Sequence, residues 1–193
     1  DEGEIVFWDR DITGWKPYEI NRMGVGRAFQ IVNIFPRLTV LRSIEIAILS
    51  RDKRGLHLFS SARDMAKDEA LRILSSVGLE EKAKMLGGVL SQGDQKRLEI
   101  GLALASQPKL LLLDEPTAGM SSKERGSTMG LIERLSRDGN LTILFTEHDM
   151  DVVFNLAQKI WVLHQGRIIF IGNQDEVRGS DVVRKVYLGE GTV

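Results

Sequence analysis

Four consecutive leucines, Leu110 to Leu113, run straight into Asp114, Glu115 and Pro116. A short, wholly apolar run of this kind marks a strand covered on both faces, the usual situation in parallel α/β sheets. Pro116 has no backbone N–H with which to continue a ladder, so the two carboxylates stand at the strand's carboxyl end. Adjacent like charges are costly there unless a cation, a water or a proton lies beside them. Something is expected to bind at this tip.

The apolar periodicity around this run points to the same class of fold. Ala66, Ala70, Ile73, Leu74 and Val77 fall at helical spacing and stop at Gly78, a natural left-handed cap. Ser91 precedes a second periodic run, Leu98, Leu102 and Ala105, with Asp94 placed for a capping box. A helix fits residues 123–137, a second buried strand 141–146, a short helix 149–156 and a third strand 160–163. Gln165-Gly166 then turns the chain into a hairpin strand over 168–171. Strands alternating with helices imply a parallel α/β sheet. The amino-terminal third is less regular. It reads as a strand over 4–8, a loop over 9–14, a tight segment from Gly24 to Gln30, an apolar, proline-containing stretch over 31–49, and a loop over 50–63.

Composition narrows the classes of partner. The 193 residues, 42% hydrophobic and 27% charged, suit one sizeable core. A formal net charge of -1 provides no global field for nucleic acid or an anionic membrane. The chain has no cysteine, so it carries neither a disulfide framework nor a thiolate metal site, which suits a reducing compartment. No apolar run approaches the roughly 20 residues of a membrane span, and the acidic start Asp1-Glu2-Gly3-Glu4 is unlike a signal peptide. Any membrane role is expected to be peripheral.

Ligands of open α/β sheets bind beyond the carboxyl ends of the strands. Asp114-Glu115 ends one expected strand and Thr146-Glu147-His148 the next, so two carboxylates and an imidazole converge if those strands are close. Asp114 can hold a hydrated Mg²⁺, Glu115 can orient or deprotonate a water, and His148 can donate to developing phosphoryl charge. The same residues also suit an acidic turn before Pro116 and a helix start at His148.

The stretch LSQGDQKRLEIGLALASQPKLLLLDEP distinguishes these readings. In order and spacing it resembles the nucleotide-binding domain of ATP-binding cassette (ABC) transporters, whose signature loop and helix lead into the Walker B strand. Leu90-Ser91-Gln92-Gly93-Asp94 stands where that family has Leu-Ser-Gly-Gly-Gln, keeping Ser91 and Gly93 but departing at Gln92 and Asp94. A serine and a glycine at a helix start offer a hydroxyl and bare amides to an anion; Asp94 puts a negative charge in the same turn. Gln30 resembles the Q-loop glutamine that contacts the metal, Asp114 the Walker B aspartate, Glu115 the catalytic glutamate, residues 118–121 the D-loop and His148 the switch histidine. FPRLTVLRSI, LFTEHDMDVVFNLA and YLGEG are most similar to the branched-chain, or hydrophobic, amino-acid importers.

That resemblance implies a P-loop NTPase-like, RecA-like parallel core over residues 1–30 and 96–193, with a helical signature subdomain over 31–95. It implies ATP and Mg²⁺ as cofactors and a cytoplasmic position on the inner face of the membrane. Transmembrane permease subunits and a second ATPase subunit, identical or not, would be the partners, with Ser91 and Gly93 facing the nucleotide of the other subunit. The family's Gly-x-x-x-x-Gly-Lys-Ser/Thr loop has no counterpart, since the sequence contains no Gly-Lys dipeptide. The expectation is therefore an ABC domain incomplete at its amino terminus, poor at holding ATP, whose Leu110–Leu113 strand lacks one ladder partner. A non-catalytic docking module is the alternative. An ABC-type ATPase of nucleic-acid repair would need coiled-coil heptads between Gln30 and Ser91, and none are present.

Overall fold

Val6–Phe7 (β1) and Arg10–Asp11 (β2) open the chain as an antiparallel hairpin in a computed structural model that describes residues 2–29, 34–52, 60–137 and 140–188. Its two-residue turn places Trp8 and Asp9 at φ 51° and 57°, the doubly left-handed geometry that matches the twist of paired strands. The strand expected over 4–8 is therefore shorter, and the loop expected over 9–14 holds its partner. Pro17–Arg22 (α1) follows, with Pro17 in the first turn, where a missing N–H costs nothing. Glu19 Oε2 accepts from the Lys16 N–H at 2.9 Å.

Two compact units divide the chain, Asp1–Thr146 and Glu147–Val193. The first is built on three parallel strands in the order β3-β4-β5: Val25–Ala28, Leu110–Asp114 and Thr142–Thr146. The run of leucines is the middle strand, so its backbone has a partner on both sides. Gly26 pairs with Leu111 and Ala28 with Leu113, while Leu113 pairs with Phe145 and Asp114 with Thr146. This overturns the expectation of a missing ladder partner, because the tight segment read from Gly24 to Gln30 supplies that strand in Val25–Ala28. Strand β5 alternates between exposed and half-buried residues and leaves Leu144 46% exposed, rather than lying buried throughout.

Between β3 and β4 the described residues include the α-helices Val40–Arg51 (α2), Ser60–Ser76 (α3) and Gln92–Leu104 (α4). Thr39 caps α2 by accepting from the Arg42 N–H at 3.2 Å. The loop expected over 50–63 is thus helical at both ends, its centre lying outside the described residues. Gly78 ends α3 at φ 71°, as its position suggested. Ile44, Ile48, Leu74, Val77, Leu98 and Ile100 form the core of this helical layer. Gly101 lets the helices approach closely, since a Cβ there would stand 3.2 Å from Ile44 Cδ1 and 3.5 Å from Ile73 Cγ2. Ser122–Arg137 (α5) connects β4 to β5 and buries Thr128, Leu131 and Ile132.

An ion pair ties the helices together at one corner. Arg51 donates to both carboxylate oxygens of Glu69, at 2.6 and 2.9 Å, and to the Ala105 carbonyl at 2.9 Å. Hydrogen bonding from Arg51 holds the Glu69 carboxyl below its ordinary value of 4.5. As pH falls through about 4.5 the unfolded chain takes up this proton before the folded one does, so the pair's contribution is complete above that pH and is lost below it. Glu69→Gln is therefore expected to lower the unfolding free energy by on the order of 1 kcal/mol at neutral pH. Urea titrations should show that deficit shrinking as pH drops below 4.5; a deficit constant down to strong acid would contradict the assignment.

In the second unit, Asp149 caps Met150–Leu156 (α6), its carboxylate accepting from the Asp151 and Val152 amides at 3.0 and 3.4 Å. Ile160–His164 (β6) pairs antiparallel with Arg167–Gly172 (β7), the hairpin expected at Gln165-Gly166, but the pair forms its own two-stranded sheet rather than extending the parallel one. Gln174–Gly179 (α7) follows behind an Asn173 cap that forms a capping box with Glu176.

Candidate active site

The strand registers bring Ala28, Asp114 and Thr146 to one end of the sheet. Thr146 Oγ1 donates to Asp114 Oδ1 at 2.6 Å, orienting the carboxylate. The other oxygen, Oδ2, lies 3.8 Å from the Arg27 guanidinium, whose carbon stands 4.7 Å over the centre of the Phe29 ring. Glu115 leaves the strand at φ 42°, a left-handed conformation uncommon for residues other than glycine. Pro116 disfavours the right-handed helical region for the residue before it, and the Glu115 N–H is fixed by the Thr146 carbonyl at 3.1 Å. The backbone thus turns at this residue, so Glu115 does not continue the pleat of Asp114.

The start of α4 lies in the same unit. Ser91 Oγ accepts from the Asp94 N–H at 3.3 Å, the cap expected from the sequence. Both departures from Leu-Ser-Gly-Gly-Gln have a structural role. The Asp94 carboxylate is met by Lys82, by Arg97 at 4.0 Å and by the Ser91 hydroxyl, so its charge is compensated within the turn. The Gln92 amide lies against Gly119, where a Cβ would come within 2.7 Å of Nε2.

Sequence reasoning overlooked Glu124, which connects this helix to the loop after Pro116. Its Oε1 accepts from the Gly93 N–H at 3.3 Å, and its Oε2 accepts from the Ser121 N–H and hydroxyl at 3.2 and 2.8 Å. The bond from the Ser121 hydroxyl is the main cause of a carboxyl held below its ordinary range, with the Ser121 amide, Ser91 and the Gly93 amide adding to it. The signal was in the sequence, because Ser121-Ser122-Lys123-Glu124 has capping-box spacing.

The structure brings Asp114 and Glu115 together with Thr146, and Ser91 and Gly93 together with Glu124. Gln30 lies outside the described residues. His148 is exposed and belongs to the second unit, directly before the Asp149 cap. Among the described residues no group of three His, Asp or Glu side chains could hold a metal ion. Asp114, with a hard, partly exposed carboxylate oxygen, nevertheless suits Mg²⁺, which is commonly held by one or two carboxylates together with substrate phosphates and water.

A parallel sheet with adjacent carboxylates beyond its central strand, and a serine-capped, glycine-containing helix start in the same unit, is the plan of a P-loop-type nucleotide hydrolase. The chain belongs to the ABC transporter family, whose sequence profile matches residues 1–118. It is 37% identical over 195 residues to the high-affinity branched-chain amino acid transport ATP-binding protein LivG of Salmonella typhimurium, covering 97% of this chain and 76% of that protein. Among solved structures it is similar to the ADP conformation of MJ1267, an ATP-binding cassette of an ABC transporter, with a TM-score of 0.78 and 27% identity over 98% of this chain and 78% of that one. It is also similar to the dimeric post-hydrolysis state of the cassette MJ0796 bound to ADP and Pi, with a TM-score of 0.73 and 26% identity over 90% and 74%.

Proposed function

We propose that this chain is the ATP-hydrolysing subunit of an importer for branched-chain or other hydrophobic amino acids, acting through transmembrane permease subunits on the inner face of the membrane. The observation that carries the reading is the tip of β4, where Thr146 orients Asp114 and the left-handed turn at Glu115 redirects the chain beside it. Mg²⁺ bound with nucleotide would neutralise phosphate charge there. Asp114 would hold the metal, and Gln30 is the second residue the family resemblance assigns to it. Glu115 positions a water and accepts its proton. His148 donates a hydrogen bond toward phosphoryl oxygen. Ser91 and Gly93 present a hydroxyl and an amide to the nucleotide of a second ATPase subunit. Residues 1–30 and 96–193 form the RecA-like core of this reading, and 31–95 the helical subdomain through which the permease is reached. Support comes from the kinship with LivG and, for pairing, from the dimeric MJ0796 cassette.

The test is transport. The protein, assembled with permease subunits of a branched-chain amino-acid importer, is placed in vesicles with ATP and Mg²⁺, and uptake of labelled leucine, isoleucine and valine is followed. ATP-dependent uptake is the expected result. ATP hydrolysis without uptake of any of the three, when other solutes are carried, would refute the substrate class while leaving the ATPase standing.

A further inference from the structure

Two charged side chains of α4 are almost completely buried: Lys96 is 3% and Glu99 4% exposed. Their charges meet at 3.2 Å. Both also grip one residue on the sheet. The Phe29 N–H donates to Glu99 Oε1 at 3.0 Å, and Lys96 Nζ donates to the Phe29 carbonyl. Phe29 is the first residue beyond β3, and Ala28 before it is fully buried against Leu113. The backbone that leaves the sheet is thus held by both its polar groups from a helix some 70 residues away in sequence.

A buried ion pair is poor evidence for stability, since desolvating two charges offsets much of their attraction and an apolar pair of similar volume often serves as well. What an apolar pair cannot do is satisfy the Phe29 amide and carbonyl. Lys96 lies about 7 Å along the axis from the Ser91 cap, so one rigid helix carries Ser91 and Gly93 at its start and clasps the sheet tip a turn and a half later. That clasped tip also carries Arg27, packed on the Phe29 ring and 3.8 Å from Asp114.

We propose that Lys96 and Glu99 are positioning residues for nucleotide hydrolysis, fixing the Ser91–Gly93 end of α4 to the sheet tip at Asp114 so that the two halves of the site keep one relative placement. This rests on the proposed function. The pair touches no reacting atom. Its loss should slow the chemical step and leave nucleotide affinity nearly unchanged.

The test compares wild type, Lys96→Met/Glu99→Leu and Lys96→Arg, with steady-state ATPase kinetics, thermal unfolding and amide hydrogen exchange at Phe29. The double variant is expected to fold as stably as wild type and to exchange the Phe29 amide roughly tenfold faster. It should lose roughly tenfold or more in kcat with KM within about threefold. Lys96→Arg keeps a charged donor and should restore most of kcat. If the double variant does not fold, Glu99→Gln carries the comparison, because it replaces the charged acceptor of the Phe29 amide by a weaker neutral one, and faster Phe29 exchange with the same split between kcat and KM is expected. Wild-type kcat in a folded variant whose Phe29 amide exchanges faster would overturn the proposal, as would unchanged exchange. A wild-type protein that hydrolyses no ATP would overturn the proposed function itself, and with it the kinetic role of the pair.

Discussion

Replacing Glu115 by glutamine is expected to reduce ATP turnover by roughly 10²–10⁴-fold, the range that a positioned general base contributes. Nucleotide binding should survive. The amide is nearly isosteric with the carboxylate but carries no charge and is a far weaker base. Two backbone anchors at this corner, the Glu115 N–H on the Thr146 carbonyl and the Ala118 N–H on the Glu115 carbonyl at 3.1 Å each, are untouched by the substitution. Loss of turnover with nucleotide binding intact would report chemistry rather than misfolding. Single-turnover hydrolysis and a nucleotide titration separate the two quantities. Turnover close to wild type in Glu115→Gln would remove Glu115 from the role of base.

The largest effect on stability is expected at Leu111. It is fully buried in the central strand, with Gly26 on one side and Ile143 on the other. Leu111→Ala should cost about 2–5 kcal/mol, the lost transfer energy plus the cavity left behind. Against a total of roughly 5–15 kcal/mol for a typical domain, that is enough to bring the first unit near its unfolding threshold. Leu144 provides the internal control, because it is a leucine of the same sheet that is 46% exposed on β5. Leu144→Ala should cost less than about 1 kcal/mol. Urea unfolding of the two variants side by side is the measurement, and equal costs would mean that β4 is not the core strand described here.

The parts of this fold that were legible in the sequence are those in which local chemistry and tertiary position agree. Leu110–Leu113 reads as a buried strand because nothing polar interrupts it, and Ser91 reads as a cap because the hydroxyl and its amide partner are three residues apart. Strand β3 was missed for the opposite reason. Gly24, Gly26 and Arg27 break any apolar run, and the segment becomes a strand through pairing with β4, a partner 85 residues away at Val25↔Leu110. For β6 the strand and its hairpin with β7 were both visible, because Gln165-Gly166 signals the turn, but an apolar run does not say whether a strand also joins the parallel sheet. The site divides similarly. Asp114 and Glu115 announced themselves by standing at the end of an apolar run, whereas Lys96 and Glu99 look like surface charges on an amphipathic helix. Their partner, Phe29, is invisible until the chain has folded.

The left-handed turn at Glu115 has a consequence for how this protein tolerates change. A residue with a Cβ held at φ 42° costs on the order of 1–3 kcal/mol relative to a relaxed backbone, and glycine would relieve much of that. A campaign that selected variants by heat resistance alone would be drawn to glycine at this position and would delete the proposed base while improving the fold. Melting temperature and activity therefore pull in opposite directions at residue 115, and a thermostabilised form of this chain needs that position held fixed from the start.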